Sequence, residues 1–70
     1  MNENKLISIT ANIPAKQLQQ LYELLSDEVT PYALRVGKGE NHHREITLYC
    51  DAENVAYFKN ILEHEIQAEI

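Results

Sequence analysis

The segment from Asn12 to Val29, NIPAKQLQQLYELLSDEV, restricts the fold more than any other part of the sequence. Its apolar residues recur at the spacing of one helical face. Pro14 suits the first turn of a helix, where its missing N–H group costs no hydrogen bond. The helix should end near Asp27 or Glu28, because Thr30 precedes a proline and is biased away from helical geometry. The apolar stripe comprises Leu18, Leu21, Tyr22, Leu25 and Val29.

Three segments with alternating apolar residues predict the strands against which this helix packs. They are KLISITA (5–11) with Ile7, Ile9 and Ala11 in phase, PYALRV (31–36) with Tyr32, Leu34 and Val36 in phase, and REITLYC (44–50) with Ile46, Leu48 and Cys50 in phase. Between the last two lies GKGEN, from Gly37 to Asn41, which holds both glycines of the chain and is typical of a hairpin turn.

A second helix is predicted after the third strand. Asp51 is a good N-cap for this helix. The apolar stripe consists of Val55, Phe58, Leu62 and Ile66, with Ile61 and Ile70 beside it. The element order is therefore β-α-β-β-α, and no internal repeat is evident in the amino-acid sequence.

This order predicts a single α+β domain over residues 1–70. A right-handed β-α-β crossover makes the first two strands parallel, and the hairpin makes the third strand antiparallel to the second. Insertion of the third strand between them gives a three-stranded sheet of order 1-3-2 with both helices on one face. The result is a two-layer sandwich, ferredoxin-like without its last strand. The first strand would keep a free edge, which favours dimerisation or partner binding.

Composition narrows the possible functions. The 70-residue chain has eleven acidic and six basic residues, a formal net charge of −5. Such a chain repels nucleic-acid phosphates, so direct binding of DNA or RNA is not expected. Cys50 is the only cysteine, which excludes an intrachain disulfide and favours a reducing, cytoplasmic location. No apolar run approaches membrane length, and no basic-then-apolar leader opens the sequence.

Few residues in the sequence are candidates for catalysis or metal binding. Because Cys50 is in phase with Ile46 and Leu48, it is expected to be a small core residue and not a nucleophile. The adjacent His42 and His43 should point to opposite faces of a strand, so they cannot easily share one metal ion. We therefore expect a protein that is not an enzyme and has no catalytic residue, metal site or cofactor. Any role for the two histidines stays open.

Charge is unevenly placed along the chain. From Asp51 to Ile70 the sequence contains five acidic residues and one basic residue, Lys59. Two interpretations follow. The segment is either a solvated amphipathic helix, or an acidic helix that docks in a basic cleft by electrostatic complementarity.

Two blocks of the sequence resemble the DinI-like family of small SOS-response and phage proteins. In the family, a short alternating strand precedes a helix opened by a Leu-Pro-Ala-like step, as in KLISITA followed by IPAKQLQQLYELLSDEV. The matching positions are Ile13, Pro14, Ala15, Leu18, Leu21, Leu25, Ser26 and Val29 in the first block, and Phe58, Ile61, Leu62 and Glu63 in AENVAYFKNILEHEI. The hairpin RVGKGENHHRE departs from the family pattern. The family also carries a tryptophan after its last helix, and this sequence contains no tryptophan.

The resemblance implies a β-α-β-β-α fold and a protein partner. In the family, acids of the last helix bind the RecA recombinase and modulate its filament on single-stranded DNA. Carried over, the contact residues here are Glu53, Glu63, Glu65 and Glu69. The favoured prediction is thus a non-enzymatic module that binds RecA or another DNA-handling protein. Two alternatives stay open: a phage or mobile-element inhibitor of the anti-CRISPR or anti-restriction type that blocks a nucleic-acid-binding cleft, and a structural homodimer that pairs through a free sheet edge.

Overall fold

The computed structural model describes residues 6–70 and has the predicted element order. The elements are β1 (Leu6–Pro14), α1 (Leu18–Ser26), β2 (Ala33–Val36), β3 (His43–Asp51) and α2 (Val55–His64). One turn of 3₁₀-helix, Ala15–Gln17 or Ala52–Asn54, leads from a strand into each helix. Lys5, the first residue of the predicted first strand, lies outside the described residues.

The sheet has the predicted order β1-β3-β2. β3 is antiparallel to both neighbours, so β1 and β2 run parallel to each other. Leu48 is at the centre of the sheet, with Ile9 opposite it on β1 and Leu34 opposite it on β2. The predicted α+β architecture and the central position of the third strand are therefore confirmed.

One face of the sheet and both helices enclose a single apolar core. The alternation of the strands sends every second side chain into this layer. The buried residues are Ile9, Ala11, Ile13, Leu21, Leu25, Ile46, Leu48, Cys50, Phe58, Leu62 and Ile66. The predicted phase of each strand is correct, and Ile13 adds one more buried residue to β1. The second strand is shorter than predicted, because it begins at Ala33 and leaves Tyr32 before it, 37% exposed. The opposite face carries no helix among residues 6–70, and it presents mostly polar side chains such as Ser8, Thr10 and Arg35.

Both helix starts differ from the prediction. Pro14 is the last residue of β1, with φ −59° and ψ 133°, and is not in the first turn of α1. Asp51 ends β3 in an extended conformation, and its side chain makes no capping hydrogen bond. The cause is pairing, since β1 and β3 stay in register from Leu6 opposite Asp51 to Pro14 opposite His43. Each strand therefore keeps its extended backbone through its last residue.

The predicted stripe of the first helix is right for Leu18, Leu21 and Leu25 and wrong for its other two members. Leu21 and Leu25 are buried, and Leu18 packs against the core. Tyr22 is 46% exposed, and Val29 is 92% exposed. α1 ends at Ser26, so Val29 lies beyond the helix, where helical periodicity no longer applies.

The second helix is shorter than its sequence pattern predicts. α2 ends at His64, and the chain then turns so that Ile66 is still fully buried. Glu69 next forms an antiparallel bridge to Asn12 on the outer edge of β1, with nitrogen-to-oxygen distances of 3.0 and 2.9 Å. A fourth strand of a ferredoxin-like fold would occupy this position. Ile70, predicted beside the stripe, is 53% exposed.

The hairpin between β2 and β3 turns at residues other than its glycines. Asn41 and His42 adopt the left-handed conformation, with φ of 55° and 65°. Gly39 is required for a different reason: a Cβ atom there would lie 2.0 Å from the backbone oxygen of His43. The predicted connection is present, but the close approach of backbone at Gly39 makes the glycine necessary.

Candidate partner-binding surfaces

The outward side of α2 presents two of the four predicted contact acids. Glu63 is exposed in the last turn of α2, and Glu53 is exposed in the 3₁₀ turn that leads into the helix, roughly 15 Å away at about 1.5 Å per residue. We call this surface the α2 outer face; its members are Glu53, Ala56, Tyr57, Asn60 and Glu63. Ala56, Tyr57, Lys59, Asn60 and Glu63 line a shallow depression here.

The α2 outer face is held firmly because the other side of the helix is buried. Phe58 and Leu62 are 0% exposed. The Phe58 ring contacts Tyr57 edge-on at a centroid distance of 5.2 Å, and it packs at an angle against Tyr32 at 5.9 Å. Such aromatic pairs add to the stability that burial alone provides. Glu63 therefore projects from a helix whose opposite side is fixed in the core.

Tyr57 joins the α2 outer face to the loop that follows α1. Its hydroxyl donates a hydrogen bond of 2.7 Å to Oε1 of Glu28, and Oε2 of Glu28 accepts the Thr30 N–H at 3.0 Å. The hydrogen bond from Tyr57, followed by that from Thr30, lowers the pKa of Glu28. The same bond raises the pKa of Tyr57, so at neutral pH the pair is a carboxylate and a neutral phenol.

Sequence reasoning missed an exposed aromatic residue on this surface and an exposed aliphatic residue in the loop after α1. Tyr57 is 49% exposed, and Val29, next to its partner Glu28, is 92% exposed. Exposed aromatic rings are enriched in protein interfaces. The Tyr57 signal was available in the sequence, since it falls outside the apolar stripe of α2. The exposure of Val29 was not, because it depends on where α1 ends.

The other two predicted contact acids are not on the α2 outer face. Glu65 follows the last turn of α2, where its backbone oxygen accepts a 3.2 Å hydrogen bond from the side chain of Gln20 on α1. Glu69 lies at the outer edge of β1 through its bridge to Asn12. The four predicted acids therefore do not form one cluster.

Glu69 instead belongs to a cleft beside the hairpin. This hairpin cleft has a volume of about 490 Å³ and is lined by Asn12, Lys38, Gly39, Glu40, Asn41, His43, Glu45 and Glu69. Three carboxylates and one lysine are among the residues that line the cleft. Nε of Arg44 donates a hydrogen bond of 2.9 Å to the oxygen of Gly37, which ties this cation to the loop backbone.

Cys50 is a core residue, as predicted. Its side chain is 1% exposed and packs with the other buried residues of β3. Burial, and to a smaller extent the charge of Asp51, raises the pKa of the thiol. Because the thiolate is the reactive form, this environment makes the sulfur a poor nucleophile.

The histidines are arranged differently from the predicted strand pair. His42 lies in the turn, where its oxygen accepts the Ala15 N–H at 2.8 Å, and only His43 belongs to β3. Nδ1 of His43 is 2.8 Å from the oxygen of Asn41. Within residues 6–70, no group of three His, Cys, Asp or Glu side chains is placed to hold a metal ion.

Comparisons with known proteins add no relative. No protein-family model matches the chain, and neither the curated proteins nor the solved structures contain a significant match. In the part of the chain that the structure describes, no helix is sufficiently long and apolar to cross a membrane.

Proposed function

We propose that this protein is a non-enzymatic, cytoplasmic module that binds another protein through the α2 outer face. The observation that carries the proposal is the sidedness of α2. Phe58 and Leu62 fix one side of the helix in the core, while Tyr57 and Glu63 are exposed on the other. Glu53 is exposed in the 3₁₀ turn that precedes the helix. A rigid helix that combines separated acids with a half-exposed tyrosine has the elements of a polar interface with an aromatic anchor.

The chemistry of this surface favours a basic partner. Glu53 and Glu63 contribute negative charge at both ends, and Glu28 adds another carboxylate beside Tyr57. These three acids outnumber Lys59, the cation that lines the same depression. The chain as a whole carries a net charge of −5, which reinforces the attraction of a positive surface at long range. Basic clefts that hold nucleic acid meet this requirement.

The resemblance to the DinI-like family narrows the proposed partner to RecA or a similar DNA-handling protein. The order β-α-β-β-α with sheet order 1-3-2 supports this proposal, because it puts α2 last and leaves its outer side uncovered among the described residues. In this proposal Glu53 and Glu63 make the principal contacts. Glu65 and Glu69 act at the margin, since neither lies on the α2 outer face.

A pair of double charge reversals tests the proposal. Glu53→Lys with Glu63→Lys alters the α2 outer face, and Glu40→Lys with Glu45→Lys makes the same change of net charge in the hairpin cleft. Binding to RecA filaments on single-stranded DNA is measured by co-sedimentation at several salt concentrations. We expect the α2 variant to bind about tenfold more weakly or worse, a loss of about 1.4 kcal/mol, and the hairpin variant to bind almost as well as wild type.

The salt series tests whether the binding is electrostatic, and the two double variants separate specific contact from general attraction. Binding by the wild type should weaken steeply as ionic strength rises, because the contacts are between exposed charges. Equal loss of binding in the two double variants would show that only net charge matters. Absence of wild-type binding to RecA, even at low salt, would exclude RecA as the partner.

A further inference from the structure

The outer edge of β1 is paired at one end and open at the other. Asn12 exchanges both of its backbone hydrogen bonds with Glu69, so its N–H and oxygen point away from β3. In an antiparallel pair, successive residues direct these groups alternately toward and away from the partner strand. The N–H and oxygen groups of Leu6, Ser8 and Thr10 therefore also point outward.

Hydrogen bonding on the far side of β3 supports this assignment. The oxygen of Glu45 accepts the Gly37 N–H at 2.7 Å, so Glu45 directs its backbone toward β2 and not toward Asn12 opposite it. By alternation, Ile46 and Leu48 bond to β1 through Ala11 and Ile9. The backbone groups of the odd-numbered residues of β1 thus bond to β3, and those of the even-numbered residues point outward at the edge of the sheet.

Residues 6–10 lack the features that usually protect such an edge. Their sequence, LISIT, contains no charged residue, proline or glycine. Soluble proteins commonly prevent edge pairing with lysine, proline, bulges or a covering segment. Among residues 6–70 the covering segment reaches only Asn12. Leu6, at the open end, is 66% exposed.

We propose that this edge pairs with the same edge of a second copy of the chain. The antiparallel register sets Ser8 opposite Ser8 of the second copy and Leu6 opposite Thr10 of the second copy, and vice versa. In this register all three outward residues of each chain find outward partners, so the edge is complementary to itself. Glu69 at Asn12 marks where the pairing stops in both copies.

Charge opposes contact between two copies least at this position. Two chains of net charge −5 repel each other over most of their surfaces, but the paired residues here carry no charge. The two-fold axis is perpendicular to the sheet, so both helix layers lie on the same side of one continuous sheet. The α2 outer face stays free, and dimerisation is therefore independent of the function proposed above. Because the paired segment is short, we expect a weak, concentration-dependent dimer.

Proline substitution tests the pairing without disturbing the internal ladder. Since the N–H of Ser8 points outward, Ser8→Pro removes no hydrogen bond to β3, whereas it blocks the centre of the proposed pair. Ser8→Ala is the matched control. Sedimentation equilibrium over the micromolar range should show wild type and Ser8→Ala approaching twice the 8.1 kDa chain mass. Ser8→Pro, with a folded circular dichroism spectrum, should stay monomeric.

Disulfide trapping tests the register even if the proline variant unfolds. Ser8→Cys brings two new thiols together across the two-fold axis, within the Cα separation of roughly 5.5 Å that a disulfide accepts. Thr10→Cys is the control, because its counterpart in the second copy lies opposite Leu6. Mild oxidation should give a covalent dimer of Ser8→Cys only. A wild type that is monomeric throughout, a dimeric Ser8→Pro or equal trapping of Thr10→Cys would overturn the proposal.

Discussion

Two halves of the molecule have nearly the same construction and end differently. In each, a strand of nine residues runs through one 3₁₀ turn into a helix: β1 and α1 in the first unit, β3 and α2 in the second. β1 begins at residue 6 and β3 at residue 43, so residues 37 positions apart are counterparts. Buried positions coincide as well, such as Ile9 with Ile46 and Leu25 with Leu62. The sequence concealed this repeat because few counterparts are identical.

The two units diverge where their helices end. Val29 and Ile66 are counterparts, yet Val29 is 92% exposed and Ile66 is 0% exposed. After α1 the chain forms the four-residue strand β2 on the outer side of β3. After α2 it forms only the bridge of Glu69 to Asn12 on the outer side of β1. Pairing therefore protects one outer side more fully than the other, and the free edge of β1 is a consequence of this difference.

Alanine substitution at Val29 and Ile66 should give the largest effect on stability, and the two variants should differ strongly from each other. Ile66→Ala should lower the free energy of unfolding by about 2–5 kcal/mol, because it leaves a cavity in the core. Val29→Ala should change it by no more than about 0.5 kcal/mol, because the side chain is exposed. Urea denaturation followed by circular dichroism measures both. Similar losses in the two variants would show that the units end alike.

A substitution in the hairpin that joins the units should have a smaller effect on stability. Gly39→Ala brings a Cβ atom within 2.0 Å of the His43 oxygen, so the backbone must shift, with a loss of about 1–3 kcal/mol. At Gly37 the nearest atom to a new Cβ atom is 3.6 Å away, an ordinary contact. Gly37→Ala is therefore the control and should unfold near the wild-type urea midpoint. If both variants behave alike, the close approach at Gly39 is not a constraint on folding.

The smallest effect is expected at the polar contact between the units, and it should depend on pH. Tyr57→Phe removes the main hydrogen bond that lowers the pKa of Glu28. A lowered carboxyl pKa stabilises the fold above the unfolded-state pKa, and this contribution is lost as pH falls through the folded-state value. The variant should thus melt slightly below wild type at neutral pH.

The comparison of melting temperatures over pH supplies the check on this contact. The difference between Tyr57→Phe and wild type should close in acid, below the ordinary Glu pKa near 4.5. Tyr22→Phe, on the exposed side of α1, is the control and should match wild type throughout. A difference that stays constant from neutral to acidic pH would exclude the hydrogen bond to Glu28 as its cause.

Much of the fold could be predicted because strand and helix periodicities differ and the chain contains one glycine-containing hairpin. The phases of Ile9, Ile46 and Phe58 sufficed to assign the core face of their elements. The candidate site was harder to predict from the sequence. Glu53 and Glu63 could be assigned to one helical segment, which is α2 with its preceding 3₁₀ turn. The separation of Glu69 from them depends on a backbone bridge, which has no residue signature.

Local pattern thus determined the element order and the apolar faces, because these follow from side-chain spacing. The sheet order 1-3-2 required in addition that the third strand insert between the other two. Tertiary structure decided where the elements end. Strand pairing kept Pro14 and Asp51 extended, and the bridge to Asn12 accompanies the end of α2 six residues before Ile70. The segment EIQAEI has residues that helices accept, but hydrogen bonds to a distant strand and burial of Ile66 outweigh intrinsic propensities of a few tenths of a kcal/mol per residue.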